Sequence, residues 1–149
     1  MVCLGNICRS PMAKGILVKK LREKNINHVE VDSAGTSEYH AGARADERTM
    51  ASALKHGIDL SAHRARPFER GDFAAFDLIY VMDRENLSDV LYYAASEKEA
   101  RKVKMILEEI APGKQLPVPD PWFGGEEDFE NVFELLNDAC EVIVGKFIK

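Results

Sequence analysis

Two side chains near the amino terminus have the types and spacing needed to handle a phosphate group. Cys3 and Arg9 are separated by five residues in the string Cys3-Leu4-Gly5-Asn6-Ile7-Cys8-Arg9-Ser10-Pro11. A loop of that length curls so that successive backbone N–H groups point inward and form an anion-binding hollow. Gly5 and Asn6 are expected to supply the left-handed conformations that such a ring needs. Ser10 is expected to cap a helix that starts at Pro11, so that a helix N-terminus faces the same point. Arg9 would add paired, charge-assisted hydrogen bonds. The combined positive field favours the thiolate of Cys3, a nucleophile placed behind a bound phosphorus. A cysteine that only packs ahead of a helix would not call for Gly, Asn, Arg and Ser in this order.

Attack by a thiolate leaves an alkoxide or phenoxide that needs a proton, so a carboxylic acid must come from elsewhere. Asp120 is the candidate, within Pro117-Val118-Pro119-Asp120-Pro121-Trp122-Phe123-Gly124-Gly125. Three prolines stiffen this loop. An aryl phosphate also needs a slot with flat or apolar walls, and Leu4, Ile7, Tyr39, Trp122 and Phe123 are candidates for them. The loop residues Leu4, Gly5, Asn6, Ile7, Cys8 and Ser10 are the expected phosphate-side contacts.

The elements that must position these groups alternate between strand and helix. Pro11 to about Lys24 reads as a helix, with Ala13, Ile16, Leu17 and Leu21 on one face. His28–Asp32 reads as a short strand and the run Asp32–Ser37 as turn chemistry. Asp46–His56 reads as a helix ended by Gly57. Phe76–Met82 reads as an apolar strand, followed by a helix from Arg84 to about Ala95. Residues 97–110 read as a helical turn and then a strand at Val103–Ile106. The last helix is the plainest, with Phe129, Val132, Phe133, Leu136, Cys140, Ile143 and Phe147 at helical spacing. Alternation of this kind implies an α/β fold with a parallel sheet covered by helices on both faces. Ligands of such sheets sit beyond the carboxyl ends of the strands, which is where Cys3 falls.

Composition bounds the rest. The 149 residues suit one domain, 1–149, and 46% apolar with 30% charged residues is ordinary for a globular chain. No apolar run is long enough for a membrane span, and no secretory signal is visible. Three cysteines do not make a disulfide framework, and a catalytic thiol points to a reducing, cytoplasmic setting. A net charge of −5 argues against nucleic acid as a partner. His28, His40, His56 and His63 lack paired ligand spacing, and no nucleotide-binding glycine motif occurs, so neither metal nor cofactor is expected. A monomer or weak dimer is expected.

The string Val2 to Pro11, with Asn6 and Cys8 inside it, resembles the low-molecular-weight protein tyrosine phosphatases. The resemblance runs from residue 2 to about residue 147. It implies a four-stranded parallel sheet with a phosphate-binding loop after the first strand. It also implies hydrolysis of phosphotyrosine proteins through a cysteinyl-phosphate intermediate, without a cofactor. Cys3, Arg9 and Asp120 match the family's nucleophile, phosphate-binding arginine and general acid. Ser33 and His63 match positions that brace Asn6, and Ser10 one that donates to the thiolate. Asp83 matches a further family position, and Tyr39 and His40 match the variable loop that helps choose substrates. Two features depart from the pattern. Only Met1 and Val2 precede Cys3, where family members usually carry several apolar residues, so either the start is short or the first strand is much reduced. Trp122 and Phe123 stand where the family often has two tyrosines.

Three other activities fit parts of this pattern. A protein-arginine phosphatase uses the same scaffold, but that branch tends to carry threonine at the position of Ile7. A thiol-dependent arsenate reductase needs further cysteines in mid-chain, and none lies between Cys8 and Cys140. A phosphopeptide-binding module would not require both Cys3 and Asp120. Cys8, inside the same ring, is expected to lie near Cys3 and to resolve an oxidised Cys3 as a disulfide, making the enzyme redox-sensitive.

Overall fold

The strands at the centre are very short. In the computed structural model, which describes residues 1–148, β1 (Val2–Cys3) lies between β2 (Ala34–Gly35) and β3 (Ile79–Val81). β4 (Val103–Met105) pairs with the far side of β3, giving the order β2-β1-β3-β4 with every pairing parallel. Val2 stands opposite Ala34 on one side and Val81 on the other. The crossovers carry α1 (Arg9–Glu23), α2 (Glu47–Lys55), α3 (Asp72–Ala75), α4 (Arg84–Tyr92) and α5 (Glu97–Ala100). A 3-10 helix (Ile106–Glu109) follows β4, and α6 (Glu126–Gly145) closes the chain.

Alternation along the strands divides the core into two faces. Cys3, Tyr80 and Met82 turn toward α1 and α6, where they join Ile16, Leu17, Leu21, Leu136, Cys140 and Ile143. Val2, Ile79, Val81 and Met105 turn the other way, onto Phe73 of α3 and Val90 of α4. A fully buried aliphatic side chain contributes about 1.5–3 kcal/mol, against roughly 0.5–1.5 kcal/mol for a backbone hydrogen bond. The helical packing therefore does more than its two-residue ladder to keep β1 in place.

Several boundaries differ from the sequence reading. His28–Asp32 is irregular rather than a strand, and pairing starts at Ala34. β2 forms where β1 runs alongside it, the ladder opening with Ala34 N donating to Met1 O at 3.0 Å, and Gly35 is bonded on its other side to Arg66 and Phe68. The strand expected over Phe76–Met82 contracts to Ile79–Val81, because the unpredicted α3 ends at Ala75 with Phe76 as its cap. α4 stops at Tyr92, short of Ala95. α2 starts as expected, with the Asp46 side chain accepting from Arg48 N, and Gly57 beyond its end has φ +76°. Among the described residues, no helix is long and apolar enough to cross a membrane.

Candidate active site

Asn6 organises the loop between β1 and α1. It is fully buried and adopts φ +56°, a left-handed conformation that is costly for a residue with a side chain. Gly5 does not share that conformation, contrary to expectation. Its lack of a side chain serves close approach instead, since a Cβ there would lie 3.0 Å from His40 Cδ2. Asn6 Nδ2 donates to Ser10 Oγ at 2.7 Å and to Ser33 Oγ at 3.0 Å. Asn6 Oδ1 accepts from Arg66 N at 3.0 Å, and Asn6 O pairs with His63 Nε2 at 2.7 Å. The neighbouring Ile7 O accepts from Asp46 N at 2.9 Å. The strained turn is thus held from several sides, which is the condition for such strain to persist.

Ser10 is not the helix cap. α1 starts at Arg9 with Cys8 as its N-cap, so Ser10 and Pro11 fall inside the first turn. There Pro11 forfeits no intrahelical bond. The Ser10 hydroxyl is instead 3.1 Å from Cys3 Sγ. Asn6 already donates to Ser10 Oγ, and the single hydroxyl proton of Ser10 has two acceptors within reach, the sulfur at 3.1 Å and Ala34 O at 3.4 Å. Burial pushes the Cys8 thiol up to about 12, so Cys8 rests as a thiol. Cys3, Cys8 and Cys140 are all free and buried, and Cys140 lies against α1 in the core.

Arg9 is almost wholly enclosed. Its Nη1 donates to Asp83 Oδ2 at 2.7 Å and to Val118 O at 3.0 Å, and its Nη2 is 3.7 Å from Asp120 Oδ2. Asp83 is fixed in turn, with its Oδ1 capping α4 through Asn86 N at 2.8 Å. Asp120 is about half exposed, its Oδ1 accepting from Trp122 N at 3.1 Å. The ends of β1 and β3 and the loop of residues 117–125 thus converge where Cys3 lies.

The proposed aromatic walls are rearranged. Phe123 is 97% exposed and Tyr39 is 86% exposed, so neither is packed into a slot in this conformation. Ile7 is buried beneath the loop with Cys8, Ala65 and Phe129. Leu4 remains at the rim. The ring over Gly5 is His40, edge-on to Tyr39 at 4.8 Å and tilted against Trp122 at 5.9 Å. Asp46, Arg48 and Arg66 are the neighbours that the sequence reading leaves out of the site. The cap signal at Asp46 was legible, whereas Arg48 and Arg66 reach the site by folding alone. His63 is partly buried, which pushes its imidazole down, against the pull of the Asn6 carbonyl. A cavity of about 410 Å³ lies elsewhere, by Met1, Val31, Phe76 and Phe147 at the amino ends of the strands. Among the described residues, no cluster of His, Cys, Asp or Glu is arranged to hold a metal ion.

The sequence profile described as low molecular weight phosphotyrosine protein phosphatase matches residues 1–149. The chain belongs to this family. The human low molecular weight phosphotyrosine protein phosphatase is 39% identical over 97% of this chain and 92% of its own. A protein tyrosine phosphatase from Entamoeba histolytica superposes with a TM-score of 0.90 at 36% identity, covering 97% of this chain and 92% of that one. A Drosophila arginine phosphatase superposes with a TM-score of 0.91 at 28% identity, covering 99% and 96%. The four-stranded parallel sheet with its helices is the arrangement shared with these solved structures.

Proposed function

We propose that this protein hydrolyses phosphotyrosine in proteins, with Cys3 as nucleophile, Arg9 as phosphate ligand and Asp120 as general acid and base. The thiolate of Cys3 attacks phosphorus and an S–P bond forms as the P–O bond to the tyrosine ring breaks. Asp120 gives its proton to the departing phenolate oxygen. Arg9 and the N–H groups of the loop carry the charge of the equatorial oxygens. Asp120, now a carboxylate, takes a proton from water. That water attacks phosphorus, the S–P bond breaks, and inorganic phosphate leaves with Cys3 restored. Ser10 donates to the sulfur and stabilises it as leaving group. Asn6, with Ser33 and His63 behind it, keeps the loop curled. Asp83 keeps the Arg9 fork turned toward the phosphate.

The observation that carries this reading is the meeting of Arg9 and Asp120, 3.7 Å apart, at the loop that starts from Cys3. The test is a kinetic comparison of phosphotyrosine, phosphoserine and phosphoarginine peptides. A phenyl ring reaches from the loop floor to the rim formed by Leu4, His40 and Trp122, while a serine side chain does not. A strong preference for phosphotyrosine is expected, and comparable kcat/KM for phosphoserine would overturn it. The likeness to an arginine phosphatase keeps phosphoarginine as the second reading, and a preference for that peptide would establish it instead.

The setting that fits a free thiol nucleophile is the reducing cytoplasm, with the protein acting as a monomer or weak dimer. Redox control belongs to the same reading. Peroxide would convert the Cys3 thiolate to a sulfenic acid. The Cys8 sulfur would then attack it, expelling water and forming a disulfide that a thiol reductant reopens. Peroxide inactivation should be reversible in the parent and much less so in Cys8→Ser. Equal recovery in both, with only sulfinic or sulfonic Cys3 by mass mapping, would rule the switch out.

A further inference from the structure

Arg48 joins the two halves of the site, although it approaches neither Cys3 nor Arg9 in any described contact. It stands in the first turn of α2, where Asp46 Oδ1 accepts from Arg48 N at 2.8 Å. The same carboxylate grips the guanidinium from both oxygens, Nε to Oδ1 at 3.1 Å and Nη2 to Oδ2 at 3.1 Å. Asp46 is itself tied to the phosphate loop through its N–H on Ile7 O. The base of the arginine is therefore fixed relative to the loop that holds the nucleophile.

The other end of the guanidinium reaches the acid loop. Arg48 Nη1 donates to Trp122 O at 2.9 Å and to Gly124 O at 3.4 Å. Its charged carbon lies 5.5 Å from the centre of the Trp122 ring and 4.7 Å from that of Phe129, within the range of cation–π attraction. Residues 119–124 are otherwise held by the Arg9–Asp120 ion pair, the contact of Trp122 with His40 and the burial of Pro121. Among the described hydrogen bonds, Arg48 is the donor from outside the loop to this stretch; Val118 before it is held by Met82 and Arg9. Trp122 in turn donates to Asp120 Oδ1. A chain of contacts thus runs from Ile7 through Asp46, Arg48 and Trp122 to the acid.

We infer that Arg48 is a positioning residue for the proton-transfer step, setting where Asp120 sits relative to the leaving oxygen. The inference rests on Asp120 being the general acid. Loss of the arginine would leave the nucleophile loop intact and let the acid wander. The effect should therefore scale with how much the departing phenol needs a proton.

The test is kcat/KM for a series of aryl phosphates of graded phenol acidity, measured for the parent, Arg48→Ala, Asp120→Ala and the double variant. Arg48→Ala should cost about tenfold on the least acidic phenol, equivalent to about 1.4 kcal/mol, and little on the most acidic. Its plot against leaving-group pKa should be steeper than the parent's. In the Asp120→Ala background the same change should add almost nothing, and inhibition by inorganic phosphate should be retained. A uniform loss across the series would assign Arg48 to substrate binding and overturn the inference, as would full additivity with Asp120→Ala. If Arg48→Ala fails to fold, Arg48→Gln is read by the same criteria. A parent-like slope in Asp120→Ala would instead refute the acid assignment itself. A steep slope in Asp120→Ala with a parent-like slope in Arg48→Ala refutes only the role given to Arg48.

Discussion

The loop from Cys3 to Ser10 and the loop from Pro117 to Gly125 face each other but are built on opposite principles. The first is sunk into the core: Cys3, Asn6, Cys8, Arg9 and Ser10 are buried, and Asn6 alone engages Ser10, Ser33, Arg66 and His63. The second lies on the surface, with Asp120 half exposed and Phe123 open to solvent. The difference teaches how the labour is divided. In the proposed reaction, holding an anion beside the nucleophile requires donors that do not reorganise, which a loop fixed in place supplies. In the same proposal, delivering a proton to a variable leaving group requires access and movement, which a surface loop attached by fewer contacts allows.

The strongest way to break this comparison is to remove a reacting atom from each loop. Cys3→Ser should lower turnover by on the order of 10⁴ or more. Phosphate binding should persist in that variant, because Arg9 and the backbone donors remain, and substantial turnover would contradict the assignment. Asp120→Ala should cost roughly 10²–10⁴ on substrates with poor leaving groups and much less on those with acidic phenols. A uniform loss across an aryl phosphate series would show that Asp120 is not the acid. Next in size is Asn6→Ala, which leaves the groups around Asn6 without partners. Each such loss costs about 1–3 kcal/mol, and alanine tolerates the left-handed turn poorly. Both the melting temperature and phosphate affinity should fall, and an unchanged melting curve would mean that the loop is not held from this centre.

The smallest expected effect sharpens the comparison through pH. His63 is held below its ordinary value of 6.5 by burial, so the folded protein prefers the neutral ring. Its stabilising contribution is complete above the unfolded value and is lost as pH falls toward and through the lowered one. His63→Gln should therefore be less stable than the parent near neutrality, and the gap should narrow as pH is lowered to about 5. Denaturant midpoints at a few pH values would measure it. A gap independent of pH would mean that protonation of His63 does not load the phosphate loop.

Legibility followed the range of the interactions. Cys3, Arg9 and Ser10 could be picked out because they share one short string, and α6 because its apolar spacing repeats for several turns. Asp46 announced α2 through local capping chemistry. Failures arose where a partner distant in sequence decides the outcome. Whether 28–32 or 34–35 forms β2 depends on how far β1 extends, which the intervening residues do not encode. Ser10 has the chemistry of a cap, but tertiary contacts with Cys3 and Asn6 claim its hydroxyl. Phe123 carries an aromatic ring suited to a wall, yet the turn after Asp120 sends it outward and leaves His40 and Trp122 at the rim. Arg48 has no local signature, since its meaning lies in carbonyls more than seventy residues away.

The enclosure of Arg9 has a consequence for how the molecule comes into being. Its guanidinium is satisfied by Asp83 and by the carbonyl of Val118, from the middle and the last third of the chain. During synthesis the nucleophile string emerges first, but its arginine has no permanent counter-charge until β3 is in place and no second acceptor until residue 118 has followed. Until then, burying that cation opposes collapse, because an unpaired charge is costly to desolvate. Parallel sheets already impose slow, non-local closure. We expect phosphate-binding competence to appear only near the end of the folding reaction, so that nascent or truncated chains carry Cys3 without a formed phosphate site around it.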